Sequence, residues 1–156
     1  LKRHRDVMFD ALPEAKPISI IITTLAARAY RGEADVAAAM ERILLQMEAL
    51  VNPARPRVPN PVNPEEDFAD KWSTPEGRQL QLEDNFKRWV AQARADFSKL
   101  SGSSDPGFIA EQARTRFRAS VDQAEIRRRL GIGFPSVVAT PRSVPITEPA
   151  RPWQKS

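Results

Sequence analysis

The chain has 156 residues, of which 41% are hydrophobic and 28% charged, ordinary values for one globular domain. It contains no cysteine and one histidine, His4, which excludes disulfides, thiolate zinc sites, thiol nucleophiles and histidine-built metal cages. No apolar run reaches the length of about 18 residues that a membrane-spanning helix needs.

The first residues, Leu1-Lys2-Arg3-His4-Arg5, carry neither an initiator Met nor an apolar signal region. They read as the interior of a longer chain, and the lack of cysteine favours a cytoplasmic location. The net charge of +4 is unevenly spread: residues 1–74 hold ten basic and eleven acidic side chains, residues 75–156 fourteen and nine. Such a bias suits an anionic partner, although it is modest beside a dedicated nucleic-acid-binding arm.

Fourteen prolines divide the chain. Residues 1–10 read as the last turns of a helix. Ile18 to Tyr30 follows, and its β-branched start, Ile18-Ser19-Ile20-Ile21-Ile22-Thr23-Thr24, has strand propensity. It continues as Leu25-Ala26-Ala27-Arg28-Ala29, and no second strand-like run exists to pair with it. Apolar residues on every side therefore predict a helix buried nearly all round. Gly32 ends it. From Ala34 to Val51, residues Val36, Met40, Ile43, Leu44, Met47, Leu50 and Val51 share one helical face.

Asn52 to Asn63 holds four prolines and can be neither helix nor central strand. Asn63-Pro64-Glu65-Glu66 carries a helix-start pattern and predicts a short helix to about Trp72. Thr74-Pro75-Glu76 repeats the pattern. It opens the longest helix, with Leu82, Phe86, Trp89, Ala93, Phe97 and Leu100 inward and Glu83–Lys87 and Asp84–Arg88 pairs outward. Asp105-Pro106 caps another helix, with Ile109, Ala113, Phe117 and Val121 inward and a break near Ser120 to Gln123. Arg127-Arg128-Arg129 before Gly131 suits a helix C-terminus. The fold class is all-α: a bundle of five or six helices over residues 1–131, a proline-rich loop, and an extended proline-rich tail over 132–156.

Catalytic motifs are missing. There is no phosphate-binding Gly-x-x-x-x-Gly-Lys-Ser/Thr loop, no His-Glu-x-x-His and no Gly-x-Ser-x-Gly. The carboxylates Glu65, Glu66, Asp67 and Asp70 cluster, but a charged helix N-terminus explains them better than a metal site does. Trp89 fits its helix stripe as core rather than as a base-stacking platform.

Three strings carry a resemblance: Leu1-Lys2-Arg3-His4-Arg5-Asp6; Lys16-Pro17-Ile18-Ser19-Ile20-Ile21-Ile22-Thr23-Thr24-Leu25-Ala26-Ala27; and Val58-Pro59-Asn60-Pro61-Val62-Asn63-Pro64-Glu65-Glu66-Asp67-Phe68-Ala69-Asp70-Lys71-Trp72. Over about residues 1–100 the chain resembles the C-terminal half of bacterial cGAS/DncV-like nucleotidyltransferases. These enzymes belong to anti-phage signalling systems (CBASS) and are related to oligoadenylate synthetases; residues 101–156 match only in character. The resemblance implies a helical lobe that closes a nucleotide cleft and positions ATP- or GTP-type triphosphates for cyclic oligonucleotide synthesis. An N-terminal lobe would carry the Gly-Ser motif and the carboxylates that bind two magnesium ions. Those elements have no counterpart here, so the chain alone is expected to be inactive.

The resemblance also implies site residues. A lysine on the linking helix faces the triphosphate, and Lys2 stands in the matching string. A small polar residue opens the following buried helix near the phosphates, and Ser19 matches. Each has a plainer alternative, an exposed lysine and a local helix cap. Asn60 and Asn63 could read the acceptor base from the cleft mouth, or their loop could be a rigid turn that packs Phe68 and Trp72. The end of the tail, Glu148 to Ser156, suits capture by a ubiquitin-transfer-like conjugation partner, although it lacks a terminal glycine or alanine. The rival to this whole reading is a non-enzymatic helical module whose Arg-rich second half docks an anionic protein or nucleic acid.

Overall fold

The computed structural model describes residues 1–132. The tail expected over 132–156, with its conjugation end, lies outside the described residues from residue 133 on. Among those described, the architecture is all-α, with helices α1 (Lys2–Met8), α2 (Ser19–Ala29), α3 (Val36–Gln46), α4 (Pro75–Gln79), α5 (Leu82–Ser101), α6 (Pro106–Phe117) and α7 (Gln123–Arg129). Two short 3-10 turns, Pro13–Ala15 and Asp70–Ser73, complete it, and the nearest approach to a sheet is one antiparallel bridge between Pro59 and Asp67.

The 20-residue α5 is the central post, in contact with α1, α3, α4 and α6. Phe86, Trp89, Val90 and Ala93 recur at three- and one-residue steps, so they form one continuous buried stripe. Leu44 and Met47 meet that stripe from α3 and its C-terminal turn, Ile21, Ile22 and Leu25 from α2, and Val58, Ala69 and Trp72 from the proline-rich segment. Burying each large side chain contributes about 1.5–3 kcal/mol, which is how tertiary packing overrides the strand propensity of α2.

Several sequence expectations change. α2 is not buried all round: Ile21, Ile22, Thr24, Leu25 and Ala29 face the core, while Ile18 and Ile20 stay 47% and 44% exposed. α3 ends a turn before Val51, and Val36 points to solvent. No α-helix runs from Pro64 to Trp72. There the Asp67 carboxylate turns back and accepts from the backbone N–H groups of Arg57 and Val58 (2.8 and 2.9 Å), as well as Ala69 (2.9 Å). Those bonds hold the segment as a folded loop and leave room only for the 3-10 turn.

The helix opened by Thr74 is interrupted. Thr74 Oγ1 caps α4 by accepting from Gly77 N, and Gln81, at φ +53°, sets off α5. The break after α6 comes at Arg118, also left-handed at φ +46°, and Asp122 rather than Ser120 caps α7. Val121 is exposed rather than inward. Gly131, at φ +68°, closes α7, with its N–H and that of Ile132 donating to Arg128 and Arg127 carbonyls.

Candidate functional site

The site is built where α1 turns into α2. Lys2 is the first residue of α1 and is exposed; Arg5 lies one turn further on and is 5% exposed. The Arg5 guanidinium donates through one nitrogen to the Pro17 carbonyl and to Ser19 Oγ, both at 2.9 Å. Its remaining nitrogens grip Asp6 Oδ1 at 3.1 and 2.7 Å, and Lys16 Nζ stands 3.4 Å from the same oxygen. The hydrogen bond from Arg5, ahead of the Lys16 contact, holds the Asp6 carboxyl below its ordinary range.

Ser19 is therefore not a cap. It is the first residue of α2, Ile18 occupies the cap position, and no side chain caps this helix end. The first-turn N–H groups of α2 consequently lack intrahelical partners beside the Ser19 hydroxyl and two basic side chains. The Asp6 carboxylate already pairs with both of those cations, which leaves the cluster one net positive charge beside the Ser19 hydroxyl.

A second anchor fixes α1 from the other side. His4 Nε2 donates to Asp96 Oδ2 at 3.0 Å, with both residues buried. Gln92 donates to Asp96 Oδ1 at 2.9 Å, and Arg116 on α6 stands 3.5 Å away. The His4 ring packs against Phe117 and Phe97, with centroids at 5.5 and 6.5 Å. Sequence reading missed this cluster and the role of Arg5. Only the i, i+3 spacing of Lys2 and Arg5 hinted at a shared face, and nothing local linked His4 to a residue 92 positions away.

Asn60 and Asn63 sit elsewhere. The Asn60 amide donates to Glu66 Oε2 at 2.6 Å and its Oδ1 accepts from Val62 N at 2.9 Å, while Asn63 is exposed. Arg28, nine residues along α2 from Ser19, donates to the Pro59 carbonyl at 2.8 Å. The loop is thus attached near the far end of α2, roughly 14 Å along the axis from Ser19. Arg5, which shares α1 with Lys2, bonds to Ser19, whereas the side-chain hydrogen bonds of Asn60 stay within its own loop.

No family model matches the chain. Over 76 residues the chain is 42% identical to a protein of Roseivirga ehrenbergii named c-di-GMP synthase. Part of this chain is similar to part of a cyclic dinucleotide synthase. The matched stretch covers 46% of this chain and 20% of that relative, so the chain spans about a fifth of the relative's length.

Of the grooves with the volume of a small-ligand site, two border the core or the start of α2. One, of about 620 Å³, lies between α3, α5 and α6 and is mainly apolar, lined among others by Met40, Leu44, Phe97 and Ile109. The other, of about 430 Å³, runs from Lys16, Pro17 and Ile18 to Trp72 and Glu76 and abuts the start of α2. Neither includes Lys2, Ser19, Asn60 or Asn63 in its lining. Among the described residues no helix is long and apolar enough to cross a membrane, and no three His, Asp or Glu side chains are grouped to hold a metal ion.

Proposed function

We propose that this chain is the nucleotide-positioning helical lobe of a nucleotidyltransferase that makes cyclic oligonucleotide messengers, in a bacterial anti-phage setting and in the cytoplasm. The observation that carries the reading is the hydrogen bond from Arg5, one turn along α1 from Lys2, to Ser19 at a helix start without a side-chain cap. The partial identity to a c-di-GMP synthase supports it independently.

In this proposal Lys2 supplies a mobile point charge to the triphosphate, and the Ser19 hydroxyl with the free N–H groups of α2 supplies directed donors. Arg5 is a positioning residue. It is consumed by Pro17, Ser19 and Asp6, so it orients the hydroxyl and cannot itself close on a phosphate. Magnesium belongs to the carboxylates of a catalytic lobe, where it would activate the attacking hydroxyl and steady the leaving pyrophosphate. In this proposal the part of this chain is binding and orientation.

The rival, a docking module for anions, loses weight from local neutralisation: Arg128 and Arg129 both pair with Glu125, and Arg114 with Glu111. Calorimetric titration of the full-length protein with ATP and GTP separates the two. Lys2→Ala should weaken triphosphate binding about tenfold, about 1.4 kcal/mol. Unchanged affinity would remove Lys2 from the site, and salt-sensitive binding of nucleic acid by residues 75–130 would favour the rival.

A further inference from the structure

The groove of about 620 Å³ between α3, α5 and α6 is an apolar surface that the bundle leaves open. Met40 from α3, Phe97 and Leu100 from α5, and Ile109, Ala113 and Phe117 from α6 line it, and all six stop half-buried. No residue of α6 is buried, although Ile109, Ala113 and Phe117 recur at the four-residue steps of a core-facing stripe. Val36 stands at the mouth, 78% exposed. Among the described lining residues the charges are Asp35, Glu41 and Arg94, a net −1. An apolar face walled by three helices and rimmed by charge suits an apolar anchor carried on a short cationic segment.

The chain itself contains such a segment. It continues for 24 residues beyond Ile132, the last described residue. Those residues carry Arg142, Arg151 and Lys155 against Glu148, a net +2 opposite in sign to the groove. Among them stands Pro149-Ala150-Arg151-Pro152-Trp153-Gln154-Lys155, one indole between two cations. An indole combines a large flat apolar body with an N–H donor, and Ser98, Ser101 and Asp35 on the lining offer acceptors. Asp35 and Glu41 lie six residues apart on the α3 border, about 9 Å along the axis. Cations four residues apart in an extended segment span that distance.

Reach is sufficient. Ile132 follows α7, which packs on α6, and α6 is one wall of the groove. The 18 residues 133–150 extend to about 60 Å at most, whereas α6 and α7 laid end to end measure about 29 Å. A covalent tether also gives the segment a local concentration on the order of millimolar, which favours it over a free partner.

We propose that Trp153 seats in the groove between α3, α5 and α6 of its own chain, with Arg151 and Lys155 at the Asp35 and Glu41 rim. The proposal is independent of the triphosphate reading. Phe97 and Phe117 line the groove and also pack on the His4 ring, so a seated Trp153 bears on the joint that holds α1.

The test is acrylamide quenching of Trp153 fluorescence in the intact protein, isolated as the difference between wild type and Trp153→Phe. Trp72 and Trp89 are 7% and 0% exposed and stay shielded in both. Trp153 is expected to be quenched several-fold less than in a free peptide of residues 149–155. Ala113→Arg on the groove wall and Val36→Arg at its mouth should each raise quenching to the peptide's level, with melting temperature recorded for both. Val36→Arg decides the matter if Ala113→Arg does not fold, because a position so exposed accepts a new side chain. Glu41→Arg should lower the shielding, and Arg151→Glu added to it should restore it. Wild-type Trp153 as accessible as in the peptide would overturn the proposal. So would shielding that survives the groove variants in folded protein, which would place the indole elsewhere. Shielding lost on dilution would overturn it as well, by assigning the groove to a second copy.

Discussion

At the residue scale the His4–Asp96 pair is a salt bridge between two buried side chains. Asp96 is 1% exposed, and burial by itself pushes its carboxyl up. Hydrogen bonds from His4 and Gln92 and the charge of Arg116 outweigh burial, so the group titrates below its ordinary range. A carboxyl depressed in the folded state stabilises fully above about pH 4 and loses that contribution as pH falls through the folded value. Asp96→Asn should therefore cost about 3 kcal/mol near neutrality and flatten the acid limb of the denaturation profile. An acid limb as steep as that of wild type would show that another carboxylate governs it. Little of this was legible in the sequence. His4 was informative there only by its solitude, because its partner lies on α5 and no local pattern encodes a pairing across 92 positions. Ser19 and Lys2 were legible as strings, but the guanidinium that holds Ser19 was not, since a buried arginine looks like any surface arginine until its acceptors are known. The indole N–H of Trp89 is likewise buried without a partner, and nothing in the structure explains it.

Helices and loops obey the same division between local and distant causes. Start signals made of Thr or Asp before Pro were readable, because a cap acts within three residues: Thr74 and Asp105 both accept from the N–H that the pattern requires. The identical-looking signal at Asn63 misled, because Asp67 binds two N–H groups nine and ten residues upstream and so withdraws the segment from helix formation. Asp67→Ala would leave those donors, one belonging to fully buried Val58, without an acceptor. The expected loss is about 2–3 kcal/mol in chemical denaturation. A change under about 0.5 kcal/mol would mean that prolines alone hold the loop. Gly77 offers a sharper steric test. Its helical backbone would accept any residue, yet Ala there collides with the Lys71 carbonyl, so Gly77→Ala should destabilise by about 1–3 kcal/mol or more in a thermal melt. An unaltered melting temperature would contradict the close approach of α4 to the 3-10 turn.

For the molecule as a whole, the all-α class followed from proline spacing and from apolar stripes at helical period, as did the length of α5 and its inward Phe86–Ala93 stripe. What the stripes could not show is which helix touches which, and that decides how α1 is held. Consecutive residues on a helix project about 100° apart. His4 reaches toward α5 and α6, while Arg5 reaches toward the start of α2. Arg3 adds a bond to the Phe117 carbonyl, and Asp10, just past the helix, pairs with Arg118. Braced from these diverging directions, α1 behaves as a keyed shaft: it cannot roll about its own axis without shearing a buried polar joint. Torque arriving at Leu1 would pass undamped into the rest of the bundle, and the bearing of Lys2 is set by the whole assembly rather than by its own turn of helix.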